Sequence, residues 1–164
     1  MTYMATIEEL IDLDELAPVA VKLTRREFAE RRMFGTPEFH RWLNVDVRGA
    51  KSIDPHELPP RLQAYDFIRA FQLGLPFSVG RTFKRMRPID KDVFEFSTYD
   101  LRIFGWFYRR ATFIAACGDF MEHTHSKAGV YDKHRNFVEQ LRSEIDLDPP
   151  KWIVGEKEDD VLDL

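Results

Sequence analysis

The apolar positions of this chain repeat at two different periods, and the change between them divides it. Early on, Thr6 and Glu9 have capping-box spacing, and Ile7, Leu10, Ile11 and Leu13 follow as the apolar side of a short helix running to about Leu16. Thr24 and Glu27 repeat that spacing and predict a second short helix ending near Gly35 and Pro37. Residues 38–47 alternate imperfectly and read as an edge strand. After the turn-rich stretch 48–60, Leu62, Tyr65, Ile68 and Phe71 mark a helix from about Pro60 to Leu73, closed by Gly74 and Pro76.

From residue 92 the period drops to two, as in extended chain. DVFEFST is followed by LRIFGWFYRR, in which Leu101, Ile103, Gly105 and Phe107 share one face and Arg102, Phe104, Trp106 and Tyr108 the other. A turn at 109–112 leads into FIAACGDF. Val130, His134, Phe137, Val138, Leu141 and Ile145 then form a helical stripe that stops before Pro149-Pro150. The expected fold is therefore α+β: a small antiparallel sheet, a meander of three to five strands, flanked by helices. Residues 1–55 would be an N-terminal helical extension packing on or near the core, 56–148 the α+β core, and 149–164 a disordered acidic tail.

The chain has 164 residues, 44% of them hydrophobic and 32% charged, which suits one folded domain. The single cysteine, Cys117, excludes an internal disulfide framework. No apolar run is long enough for a membrane helix, and the acidic N-terminus is unlike a signal peptide, so a cytoplasmic protein without a membrane partner is expected. The net charge of -4 conceals an asymmetry. Residues 1–16 carry five acids and no base, and residues 144–164 carry eight acids and two bases; the span between holds fifteen acids and twenty-two bases. A basic body between acidic ends suits a polyanionic ligand, with the tail residues 156–163 lying over that body as an internal shield.

The chemistry-bearing residues concentrate in 81–125. Lys84-Arg85-Met86-Arg87 precedes the first strand, Val93-Phe94-Glu95-Phe96 lies in it, Leu101-Arg102-Ile103-Phe104 lies in the second, and Gly118-Asp119-Phe120 ends the third. In that order these segments resemble the motifs of the RelE/ParE toxin superfamily, in particular its phage-derived HigB-like branch, over about residues 60–145. The sequence departs from the pattern where Ser97 stands in place of an arginine and where Met121-Glu122-His123-Thr124-His125 replaces a lysine pair. The resemblance implies a RelE-like fold and a toxin-like endoribonuclease of a toxin-antitoxin system. Its partners would be mRNA, free or on the ribosome, and a cognate antitoxin.

Cleavage by 2′-hydroxyl attack needs a base, an acid and a cation at the phosphate, but no metal. Arg102 would clamp the phosphate, and His123 or His125 would move protons. Arg81, Lys84, Arg85 and Arg87 would hold flanking phosphates, with Trp106 and Tyr108 as stacking platforms for bases. A structural reading stands beside this, in which Arg102 pairs across the strands with Glu95. Cys117, Asp119, His123 and His125 offer four possible ligands within nine residues, but without a second cluster of zinc spacing no metal or cofactor is expected. The alternative function is a non-catalytic binding module of phage or mobile-element origin that recognises a protein partner.

Overall fold

A computed structural model describes residues 4–163. It is α+β, with one six-stranded mixed sheet in the order β1-β2-β6-β5-β4-β3. The strands are β1 (Ala17–Pro18), β2 (Arg32–Gly35), β3 (Phe83–Arg85), β4 (Phe94–Ser97), β5 (Leu101–Arg109) and β6 (Thr112–Phe120). The expected meander is present as β4-β5-β6, all antiparallel, with Ala111 at φ 59° in the β5–β6 turn. The expectation of a RelE-like, purely antiparallel sheet of three to five strands is corrected, because the sheet has six strands, β2 joins β6 in parallel and β1 pairs beyond it. Both extra strands come from the segment expected as a helical extension. They are two and four residues long, too short to show an alternation.

The helices are α1 (Ile7–Asp12), α2 (Pro37–Arg41), α3 (Pro60–Gln72), α4 (Met121–Ser126) and α5 (Val130–Glu144), with a π-helical stretch, Trp42–Val47, continuing α2. The capping box of α1 forms as read, with the Glu9 amide donating to Thr6 Oγ1 and the Thr6 amide to the Glu9 carboxylate. The helix expected over 24–35 does not form. Only the Thr24 amide to Glu27 contact of its box survives, while the Glu30 and Arg31 amides donate to the Gln72 carbonyl and Glu27 pairs with Arg69. The edge strand expected over 38–47 is instead α2 and its π-helical continuation. Thr36 caps it by accepting from the Phe39 amide, and Pro37 occupies the first turn.

Two cores lie on the two faces of the sheet. Leu101, Ile103 and Phe107 of β5 pack with Phe83, Phe94, Phe96 and Phe113 beneath α2 and α3. Phe104, Trp106 and Tyr108 pack with Ile114, Ala116 and Cys117 beneath α1 and α5. Close approach fixes two glycines: a Cβ on Gly105 would lie 1.9 Å from the Ile114 carbonyl oxygen, and one on Gly118 would lie 2.2 Å from the Trp42 ring.

The C-terminal residues pack rather than trail. Val161 and Leu162 are fully buried in the phenylalanine-rich core, and the Trp106 indole and Tyr108 hydroxyl donate to the carbonyls of Lys151 and Asp148. The disordered tail expected from composition is corrected, since a few apolar residues suffice to anchor an acidic segment. Among the described residues no helix is long and apolar enough to cross a membrane.

Candidate functional site

Cross-strand register sets a polar layer on the face beneath α4 and α5. Lys84, Glu95, Phe104 and Cys117 occupy successive partner positions across β3, β4, β5 and β6, and Ser97, Arg102 and Asp119 form the neighbouring row. Two-residue alternation sends both rows to the same face. His123 of α4 and Tyr131 and His134 of α5 complete the layer from above.

At one end the Glu95 carboxylate is 1% exposed. Its Oε1 lies 3.3 Å from Arg102 Nε and accepts from the Ser97 hydroxyl at 3.0 Å and the Tyr131 hydroxyl at 3.4 Å. Its Oε2 lies 3.5 Å from Lys84 Nζ. Arg102 also donates from Nη1 to the Thr98 and Leu101 carbonyls at 2.7 and 2.8 Å. With 14% of its side chain exposed, this guanidinium is spent on the protein itself. The role of phosphate clamp is corrected accordingly: a fork already engaged with a carboxylate and two carbonyls has little left for a ligand. A cleft of about 280 Å³ opens beside the group, lined by Lys84, Arg87, Glu95, Tyr131 and Asp132 among others.

At the other end, Asp119 Oδ2 lies 2.5 Å from His123 Nδ1 and 2.7 Å from His134 Nε2. The Phe120 amide donates to Asp119 Oδ1 at 2.8 Å. Burial pushes the Asp119 carboxyl up, but the hydrogen bonds from His134, His123 and Phe120 more than offset it and hold it below the ordinary range. The His134 ring stacks on Phe104, 4.6 Å between centroids and 14° between planes, with Nδ1 3.8 Å from Cys117 Sγ. Burial pushes the Cys117 thiol up, so it stays a neutral, inert group. His123 is different. Half of its side chain is exposed, and among the described residues its Nε2 makes no hydrogen bond. Asp119, His123 and His134 have ligand atoms within 4.8 Å of one another and are the group that could hold a metal ion.

The fold thus brings together Lys84, Glu95, Arg102, Asp119 and His123 from the motif segments, and it leaves Arg87 exposed at the cleft and Arg81 exposed in the turn before β3. His125 is exposed, its ring centroid 6.3 Å from that of Tyr131. Three expected contacts with RNA are corrected. Trp106 is fully buried, Tyr108 is buried beneath the Arg109 guanidinium, and the Arg85 side chain is buried against Phe94, donating to the Gly155 carbonyl. In each case the even positions of β5, or the inward side of β3, face a helix or the C-terminal segment rather than solvent.

Two members of the site escaped the sequence. His134 sits on the apolar stripe of α5 and reads there as a core residue, and Tyr131 follows Val130 with no motif around it. The four possible ligands weighed in the sequence do not come together as a set: His134 takes the place of His125, and Cys117 lies toward the opposite nitrogen of the His134 ring. Comparison with protein-family models, with curated proteins and with solved structures finds no match to this chain.

Proposed function

We propose that the chain is a toxin-like endoribonuclease that cleaves RNA by 2′-hydroxyl attack, as its resemblance to RelE/ParE toxins implies, with the catalytic role moved from Arg102 to the Asp119–His123 pair. The observation carrying this reading is a half-exposed imidazole held at Nδ1 by a mostly buried carboxylate, with Nε2 free toward solvent. A carboxylate so placed fixes the ring's orientation and stabilises the imidazolium formed when Nε2 takes a proton. In the proposed reaction His123 Nε2 removes the 2′-hydroxyl proton, and the 2′ oxygen attacks the phosphorus. His125 supplies the proton that leaves with the 5′ oxygen. Lys84 and Arg87, at the mouth of the neighbouring cleft, offset the phosphate charge. Glu95 and Arg102 act as positioning residues, holding Lys84 beside the Tyr131 ring at 5.5 Å.

The test is incubation of the purified chain with single-stranded RNA and with translating ribosomes. The expected products carry 2′,3′-cyclic phosphate ends and form in the presence of EDTA. His123→Ala should lower the rate by about 10²–10⁴-fold with an unchanged circular dichroism spectrum. Intact RNA on and off the ribosome, at excess wild-type protein, overturns the proposal.

A second reading, a non-catalytic module that binds a protein partner, is favoured by a separate feature. A mainly apolar groove of about 350 Å³ runs between the π-helical stretch and α3, lined by Val21, Leu43, Val47, Ala64 and Ile68 and edged by Arg48 and Arg61. Val45, Leu62 and Tyr65 are also exposed in these two elements. Such a groove suits an acidic amphipathic helix. Under this reading Tyr65→Asp abolishes partner binding, whereas the nuclease reading leaves RNA cleavage by that variant unaltered.

A further inference from the structure

We propose that Asp119, His123 and His134 form a binding site for a single divalent transition-metal ion of the zinc class. Three atoms carry the argument. Nδ1 of His123 and Nε2 of His134 approach one and the same oxygen, Asp119 Oδ2, from α4 and α5. Two imidazole lone pairs and one carboxylate charge make a donor set that a dication completes. It suits zinc, cobalt or nickel rather than magnesium or calcium, which take mainly oxygen ligands.

The spacing permits it. With bonds of about 2.0–2.1 Å, tetrahedral ligand atoms stand roughly 3.3 Å apart. The present contacts of 2.5 and 2.7 Å would open by less than about 1 Å. His123 can supply that movement, since it is half exposed on a six-residue helix. The other two ligands are already oriented from outside, Asp119 by the Phe120 amide and His134 by its stack on Phe104. Outer contacts of this kind hold metal ligands in place. Three protein ligands come together here, Asp119 and His134 mostly buried and His123 half exposed. Three protein ligands, with a fourth position left to water or substrate, is the ligand count of reactive rather than purely structural zinc sites.

Metal binding does not rest on RNA cleavage, although it uses two of the same residues, Asp119 and His123. An ion there would engage His123 through Nδ1, the atom that now meets Asp119, so loading and the metal-free dyad are alternative states of the same residues. The test uses the untagged full-length chain, titrated with Co²⁺ and followed by visible absorption, and with Zn²⁺ by calorimetry. One ion per chain is expected, with a four- or five-coordinate cobalt spectrum. His123→Ala and His134→Ala should each weaken binding by about tenfold or more, and Cys117→Ala should leave it unchanged. Absence of stoichiometric binding by the wild-type chain overturns the proposal, as does undiminished affinity in His123→Ala; because that side chain is half exposed, weakened binding in this variant reports loss of a ligand rather than misfolding.

Discussion

Removing the Arg102 guanidinium separates a structural ion pair from a ligand-binding cation. Arg102→Ala leaves Glu95, 1% exposed, facing only Lys84 at 3.5 Å and two hydroxyls, and it strips a donor from the Thr98 and Leu101 carbonyls. At 3.3 Å and an effective dielectric constant near 20, the Arg102–Glu95 attraction is about 5 kcal/mol before desolvation. Breaking one side of a buried pair typically costs about 3–5 kcal/mol, and the surviving Lys84 contact places the expectation near 3 kcal/mol. With a urea slope of about 2 kcal/mol/M, the unfolding midpoint should fall by roughly 1.5 M. The double variant Arg102→Ala/Glu95→Gln, which removes the orphaned charge, should recover part of that loss. An unfolding free energy for Arg102→Ala within about 0.5 kcal/mol of wild type refutes the reasoning, because a solvent-facing arginine behaves that way. Loss of RNA cleavage at unchanged stability would return Arg102 to the role of phosphate clamp.

Two further expectations follow from the packing. Leu162→Ala, in a fully buried position, should cost about 2–5 kcal/mol by calorimetric melting, whereas Asp163→Ala, which removes the exposed pair with Arg110 and a weaker attraction to Arg31, should change stability by less than about 1 kcal/mol. Burial pushes the Asp92 carboxyl up despite the Gly155 amide and the charges of Arg85 and Arg142. Its folded form therefore holds a proton to higher pH than the unfolded chain does, and stability drains away as pH rises through that window. Unfolding from about pH 4 upward should accordingly show wild type losing stability relative to Asp92→Asn; a flat difference refutes the assignment.

The strand faces were legible because β5 has nine residues and alternates cleanly, and α3 and α5 because thirteen and fifteen residues express a period. What failed was short. Thr36-Pro37 carries a helix-start signature, a capping threonine followed by proline, yet it follows Gly35 and so read as the end of a helix. β2 packs in parallel on β6 through four residues whose partner lies 80 positions away, a pairing that no local pattern encodes. The site was legible in part for the same reason. Asp119 and His123 are four apart and stand out together, but His134 enters through tertiary packing of α5 and looks, in sequence, like one more stripe residue.

The two faces of the sheet differ in a way that stability alone does not explain. One face is closed by a bank of phenylalanines, where burying apolar area stabilises without exacting geometry. The other, on the same strands, buries Glu95 and mostly buries Asp119 beneath α4 and α5. Apolar residues of similar volume commonly serve stability as well as or better than a buried ion pair. The phenylalanine side proves that this sheet can be covered in that way. Carboxylates in neighbouring cross-strand rows, Glu95 beside Lys84 and Arg102 and Asp119 beside two imidazoles, are therefore the ground for placing the proposed ligand site on the α4–α5 face, at the boundary where His123 and Lys84 reach solvent.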